Sequence, residues 1–295
     1  MLLCAGFGQR LRPLTEELPK PLMPVGDRTV LAHIADHLAG RGHLSAVANA
    51  HWHSEVLASA AGKLPITLTV VHEPTIRGVA GGIAGARELL EAPVVSWNGD
   101  ALIEEPPLDA LLAAARASGG VCLGVAPTDG PGTLGLDAQG NLVRVRGETH
   151  GREEQRADYV CLAAFGQRAL DALPASGDLF ADFCLPLLRR GERIETRWAR
   201  GTFRDIGTLE SYLAANLEWL HRHTGGASGS YVAPSALVSP GARLTRSVVG
   251  ADSRVEGAGE LFECVVWPGS VARAPLSRSI VTPNRVVSCA PAESS

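Results

Sequence analysis

Short apolar runs alternate with helical patterns from the first residues to about residue 130. The runs Leu2–Ala5, Ala46–Asn49, Ile66–Val71, Val94–Trp97 and Val121–Val125 have the aliphatic content of buried strands. Between them, Val30–Ala39, Ser54–Ala60, Gly82–Leu90 and Leu108–Ala117 repeat apolar residues at helical spacing. This alternation predicts an α/β fold with a Rossmann-like, mostly parallel sheet and helices on both faces. Such sheets bind ligands beyond the carboxyl ends of their strands. Attention therefore goes to the loop after Ala5, the region after Val71 and the turn Asn98-Gly99-Asp100.

From about Gly130 the pattern changes. Leu134–Asp137 and Leu142–Val145 flank Ala-Gln-Gly-Asn, a hairpin signal. A strand at Tyr159–Phe165, helices at Arg168–Leu173 and Leu179–Arg190, and a strand at Arg193–Trp198 follow. Leu209, Tyr212, Leu213, Leu217 and Leu220 then mark the buried face of a long helix. Thr224–Ser230 has linker composition. Beyond it, Val232, Val238 and Leu244 recur at intervals of six, continued with slips by Val249, Val255, Leu261, Val265 and Val271. A six-residue period with Gly and Pro corners predicts a β-helix of hexapeptide repeats, about three coils of about 18 residues. The expected organisation is a domain over 1–223, a linker over 224–230, a β-helix over 231–289 and a tail over 290–295.

Composition narrows the function. An apolar fraction of 45% supports a large core and excludes disorder as the overall state. A net charge of −4 is the wrong balance for holding nucleic acid. No apolar run approaches the roughly 18–20 residues that span a bilayer, so no membrane partner is expected. Cys4, Cys122, Cys161, Cys184, Cys264 and Cys289 form no CxxC pattern and read as scattered thiols. Met1-Leu2-Leu3-Cys4 lacks a basic n-region and an ordinary h-region, so the expected location is cytoplasmic. The first strand is short by about three residues, an expectation that translation starts upstream. Of 27 basic residues only Lys20 and Lys63 are lysine. A lysine kept in such a chain points to a need for its compact ammonium.

Gly6-Phe7-Gly8-Gln9-Arg10-Leu11-Arg12 directly follows the first strand, where a Gly-rich loop lets backbone N–H groups approach phosphate oxygens. It is neither a P-loop nor the dinucleotide fingerprint, since Leu11 stands at the third glycine. In Leu18-Pro19-Lys20-Pro21-Leu22, prolines on both sides of the lysine fix the backbone that aims it. His51-Trp52-His53 reads as structural, because residues two apart on a helix diverge.

The stretch from Leu3 to Val25 resembles the N-terminal signature of the sugar-1-phosphate nucleotidyltransferases, Gly-x-Gly-x-Arg-Leu-x-Pro-Leu-Thr followed by Pro-Lys-Pro-Leu. The resemblance extends to Gly81-Gly82, to Asn98-Gly99-Asp100 and to Asp205-Ile206-Gly207-Thr208. The tail resembles the left-handed β-helix of members that make GDP-mannose. The resemblance implies transfer of a nucleotidyl group from a nucleoside triphosphate to a sugar 1-phosphate, with pyrophosphate released. It implies Arg10 and Lys20 as catalytic cations and Leu3, Ala5, Gly6, Gly8, Gln9, Glu73, Gly81, Gly82 and Asn98 as nucleotide contacts. It implies Arg144, Arg146 and Tyr159 at the sugar phosphate, and Asp100 and Asp205 as ligands of Mg2+. Glu73, an acceptor only, matches the two neighbouring donors of guanine better than the single donor of uracil or thymine. GTP with mannose 1-phosphate is therefore the first expectation. UTP- or dTTP-dependent transfer and a catalytically silent nucleotide-sugar sensor are the alternatives.

Departures from the family pattern fall on both the nucleotide and the sugar side. Gln9 replaces a Thr or Ser, Val79 replaces a Thr, and Asp158-Tyr159-Val160-Cys161 departs from Tyr-x-Gly. The family's second lysine is missing, with Arg144, Arg146 and Arg152 the nearest cations. An acyltransferase role for the repeats is disfavoured, since no histidine follows His223. The exposed edges of a strand stack, with Val265, Val266 and Trp267 offering an apolar contact, lead to the expectation of a homo-oligomer.

Overall fold

The computed structural model describes residues 1–224 and 229–289. Residues 225–228 of the expected linker and the expected tail 290–295 lie outside that description. The chain divides into two compact units, Met1–Phe7 with Ile34–Arg204, and Gly8–His33 with Asp205–Ser295.

The first unit is built on one sheet. Leu2–Leu3 pairs in parallel with both Ser45–Ala50 and Val94–Asn98, and Ser45–Ala50 pairs in parallel with Thr67–His72. These four strands are the parallel core that the strand–helix alternation predicts. Past Val94–Asn98 the sheet turns antiparallel through the long strand Gln155–Phe165. That strand also carries Val121–Ala126, which is followed in parallel by Glu195–Trp198. Val160, Leu162, Ala163, Ala164 and Phe165 are fully buried, as expected for a strand covered on both faces. A register shift between Tyr159 and Ala163, with Cys161 at φ 60, marks a bulge. The hairpin Leu134–Leu136 with Leu142–Val145 is present. Ala101–Glu105 and Arg200–Asp205, absent from the sequence reading, form a separate two-stranded sheet.

One helix differs from its sequence reading. Instead of Gly82–Leu90, the helix spans Gly78–Gly85 and a short 3-10 turn follows at Arg87–Leu89. Close packing explains the early start. A Cβ on Gly78 would lie 2.4 Å from the Gly177 carbonyl oxygen, and one on Gly81 would lie 2.5 Å from the Ser176 Cα. Only glycines let this helix approach the 175–177 loop.

The second unit joins the segment Gly8–His33 to the helix Leu209–Thr224 and to short C-terminal strands. The strands pair in parallel, Tyr231 opposite Val248, Val248 opposite Val265, and Leu237 opposite Arg254. The hydrogen bonds Ser247 N–H to Ser230 Oγ and Cys264 N–H to Ser247 Oγ also span 17 positions. A repeat one residue short of three hexapeptides accounts for the slips in the apolar period. Val249, Val255, Leu261, Val266, Ala272 and Val281 fill the interior. Val271, expected inside, pairs with Arg254 and is 46% exposed, and its neighbour Ala272 takes the inward place opposite Val255.

The cluster Val265, Val266 and Trp267 is not available to another subunit. All three are buried within the unit, and the Trp267 indole N–H donates to the Tyr212 hydroxyl at 2.9 Å. Among the described residues no helix is long and apolar enough to cross a membrane, and all six cysteines are free.

Candidate functional site

The signature residues fall in both units. In the second unit the Gly-rich loop turns at Gly8, which sits in the left-handed region at φ 63. The Thr15 hydroxyl donates to the Gly8 carbonyl at 3.0 Å. A Cβ at Gly8 would meet the Thr15 methyl at 2.6 Å and Cγ and Cε of Lys20 at 3.1 Å. The Lys20 stem therefore lies along the glycine, and both the φ and the space exclude a side chain there. Gln9 and Arg10 begin a 3-10 turn over Gln9–Leu11 in which only Leu11 is buried. A Cβ at Gly207 would lie 3.0 Å from Arg10 Nη2 and 3.3 Å from Asp205 Oδ2. Arg10 and Asp205 are thus brought together against one backbone turn. Gly8, Arg10, Lys20 and Asp205 all belong to the second unit, Lys20 beside Gly8 and Arg10 beside Asp205.

In the first unit a buried polar relay begins at the strand Leu2–Leu3. The Asn49 Oδ1 accepts the Cys4 N–H at 2.9 Å, and its Nδ2 donates to Glu73 Oε1 at 2.9 Å. The other Glu73 oxygen accepts the Arg77 N–H at 3.4 Å, and the Glu73 carbonyl meets His51 Nδ1 at 2.7 Å. Glu73 is only 4% exposed, so its carboxylate organises the chain between Cys4 and Arg77. Sequence reasoning missed Asn49. Its signal was a polar side chain within an apolar strand, a position that must find partners when buried.

Gly81 and Gly82, expected in a base-reading loop, stand on the helix, and each has a packing reason. Gly81 meets the 175–177 loop, and a Cβ on Gly82 would lie 2.6 Å from Asn49 Nδ2. Gly82→Ala is expected to destabilise the protein by about 1–3 kcal/mol through overpacking, despite alanine's better helix propensity. A thermal melt checks this, and an unchanged or raised Tm contradicts it. Gly6 differs from both: it has no neighbour within 4 Å of a Cβ position and no positive φ. Neither packing nor backbone conformation in the described residues requires glycine there.

The turn after Val94–Asn98 is fixed by Gly99 N–H to the Leu3 carbonyl at 2.9 Å. Burial, then the negative charge of Asp100, pushes the Cys4 thiol far up. Asp100 thus lies near the start of the Gly-rich loop, with Leu3 and Ala5 close by in the chain. Asn98 Oδ1 is buried without a hydrogen-bond partner. That oxygen and the Asp100 carboxylate are hard donors of the kind magnesium takes. Among the described residues no group of three or more His, Cys, Asp or Glu gathers as a metal site. On this turn Asn98 and Asp100 are the two oxygen donors that would suit such an ion, which takes one or two carboxylates with phosphates and water.

On the expected sugar side the cations are already engaged. Arg144 Nε donates to Glu153 Oε2 at 2.6 Å, and Arg146 Nη2 donates to Asp178 Oδ1 at 2.9 Å. Tyr159 packs edge-on against Phe180 at 5.0 Å, and burial pushes its phenol well above the usual range. Arg146 and Tyr159 thus meet the same short segment, where the Phe180 N–H donates to Asp178 Oδ1 at 2.9 Å, and Arg144 is held by Glu153. His51-Trp52-His53 precedes the helix Ser54–Ala61 instead of lying on it: His53 stands at φ 54, and His51 is tied to the Glu73 carbonyl.

The nucleotidyl transferase family profile matches residues 1–146. The chain carries a nucleotidyl transferase domain. Mannose-1-phosphate guanyltransferases of Schizosaccharomyces pombe and Candida albicans are 36% identical over 118 residues and 35% over 115. These matches cover 37% and 36% of this chain, and the chain spans about a third of those relatives, 32% and 31%. A CMP-5'-(3-aminopropyl)phosphonate synthase of Streptomyces rubellomurinus is 35% identical over 122 residues, 40% of this chain and 19% of its own length. HddC from Yersinia pseudotuberculosis matches with a TM-score of 0.61 at 18% identity, over 74% of this chain and 97% of HddC, which establishes the fold. The Gly-rich loop, Lys20, the Asn49–Glu73 relay and Asp100 all lie inside the matched nucleotidyl transferase segment.

Proposed function

We propose that the chain joins a nucleoside triphosphate to a sugar 1-phosphate, releasing pyrophosphate. The observation that carries this reading is the cation arrangement of the signature loop: Lys20 laid along Gly8, and Arg10 against the Asp205–Gly207 turn. An oxygen of the sugar phosphate attacks the α-phosphorus and the bond to pyrophosphate breaks, so the protein needs no nucleophile of its own. Its task is to hold two anions together and to stabilise negative charge as it moves onto the leaving group. Lys20 and Arg10 supply positive charge, and the backbone from Gly6 to Gln9 supplies N–H donors. Asp100 and Asp205 are the carboxylates assigned to Mg2+, which when bound supplies further charge compensation.

GTP and mannose 1-phosphate remain the first choice, and the guanyltransferase relatives support it. Glu73 supports it less, because its carboxylate already holds Asn49 and Arg77. That observation keeps UTP and dTTP in the reading, and the phosphonate synthase relative adds CTP. A screen of the four triphosphates against mannose, glucose and amino-sugar 1-phosphates, read by the mass of the product, tests the choice. GDP-mannose as the main product supports it, and preference for another pair replaces it within the same reaction class. The proposal extends to a left-handed β-helix for the parallel C-terminal repeats, supported by their 17-residue register. It also extends to a cytoplasmic location, supported by six free thiols.

A further inference from the structure

Lys20 lies in a segment that has little regular structure to hold it. From Pro13 to Gly26 no helix or strand exceeds three residues, and such a segment opens easily unless something distant ties it down. Two ties are present, one on each side of Lys20, from the Thr282–Arg285 turn upstream and from the helix Leu209–Thr224 downstream.

Upstream, the Glu17 side chain is only 9% exposed. It accepts the Thr282 hydroxyl at 2.7 Å and the Asn284 amide at 2.9 Å, and it faces Arg285 Nε at 3.0 Å. Arg285 also donates to Glu16 at 3.0 Å. The turn that offers these groups is itself preset. The N–H groups of Asn284 and Arg285 bond Thr282 Oγ1 at 3.3 and 3.1 Å, and Thr282 N–H bonds the Arg285 carbonyl at 2.9 Å. Downstream, the fully buried Tyr212 hydroxyl donates to the Pro24 carbonyl at 2.5 Å and accepts from Trp267 at 2.9 Å. Gly26 N–H donates to Asn216 Oδ1 at 3.0 Å.

We propose that the C-terminal strands and the helix Leu209–Thr224 act as a two-ended clamp that aims Lys20, with Glu17 and Tyr212 as positioning residues and the Thr282–Arg285 turn as the seat for Glu17. The proposal rests on the reading of Lys20 as the cation that meets the reacting phosphates. A carboxylate as enclosed as Glu17 is tolerated because a guanidinium and two neutral donors surround it, and it loses that compensation if the turn withdraws. Pro19, at φ −65, and Pro21 stiffen the backbone on either side of Lys20. A displacement at Glu17 is therefore passed on to the lysine instead of being absorbed between them. Simple glue between parts of the unit would need no such convergence on the two flanks of one lysine.

The two-lysine composition permits a direct test on the full chain. Reductive 13C-methylation gives two side-chain signals, Lys20 and Lys63, assigned with Lys63→Arg. Thr282→Val removes one donor at nearly constant shape, and Glu17→Gln and Tyr212→Phe remove one function each. All three are expected to shift the Lys20 signal and leave that of Lys63 in place. They are also expected to lower kcat about tenfold with KM changed far less, as for a misplaced group. A Lys20 signal identical to wild type in the three folded variants overturns the clamp, whatever happens to Tm. If the wild-type protein releases no pyrophosphate, the reading of Lys20 fails, while the shift of its signal still decides whether the clamp exists.

Discussion

Lys20→Arg is expected to lower turnover by about two orders of magnitude although the charge is kept, a loss on the scale of removing one main electrostatic donor. The reason lies in the space around the side chain. Cγ and Cε of Lys20 run 3.1 Å from where a Gly8 Cβ would be, and Pro19 and Pro21 bracket its backbone. A compact ammonium at the end of a stem held this way can approach two phosphates at once. A planar guanidinium is wider and directs its donors as a fork, so it cannot take the same place. Chain composition sharpens the test, because arginine supplies nearly all of the 27 basic charges and lysine is kept here. Steady-state kinetics with both substrates saturating measures the effect. Wild-type kcat in Lys20→Arg would show that diffuse charge is sufficient.

Asp100→Asn and Asp205→Asn are each expected to reduce turnover by about two orders of magnitude at any magnesium concentration. The substitution keeps the shape and removes the charge that a hard cation requires. Asp100 follows the buried acceptor Asn98 Oδ1 in a turn fixed to Leu3, so the loss is not expected to come from unfolding. Asp205 lies against Arg10 on the Gly207 turn, so its asparagine variant should also weaken triphosphate binding. Titration of activity with magnesium separates the two effects. Near-normal rates in both variants at saturating magnesium would remove the carboxylates from the reaction.

Much of the fold could be read from the sequence because its strands and helices have simple apolar signatures. Val30–Ala39 has the predicted bounds, and Ser54–Ala61 and Leu108–Ser118 differ from prediction by a single residue. Ala101–Glu105 stayed hidden because its buried alternation is only Ala101 and Ile103, too short to read as a strand, and Arg200–Asp205 because it has no buried residue. The early start of the Gly78–Gly85 helix was hidden for another reason: Gly78 and Gly81 read as a loop until the 175–177 backbone against them is known. For the site, the loop residues Gly8, Arg10 and Lys20 were legible because their chemistry is local in sequence. Asn49 and the Thr282–Arg285 turn were not, since their roles depend on partners 24 and 265 positions away. Arg144 and Arg146 were named as the nearest cations where the family's second lysine is missing, and their carboxylate partners Glu153 and Asp178, 9 and 32 positions away, could not be read from the sequence.

The central claim is that the domain transfers a nucleotidyl group to a sugar phosphate, and 31P NMR of a single reaction tests it most directly. Purified full-length protein, GTP, mannose 1-phosphate and magnesium should give pyrophosphate and a sugar-linked diphosphate in equal amounts, with no pyrophosphate when the sugar phosphate is omitted. The other triphosphate and sugar pairs serve as further samples of the same experiment. Pyrophosphate or inorganic phosphate formed at the same rate without any sugar phosphate, or no turnover with every pair, would contradict the account.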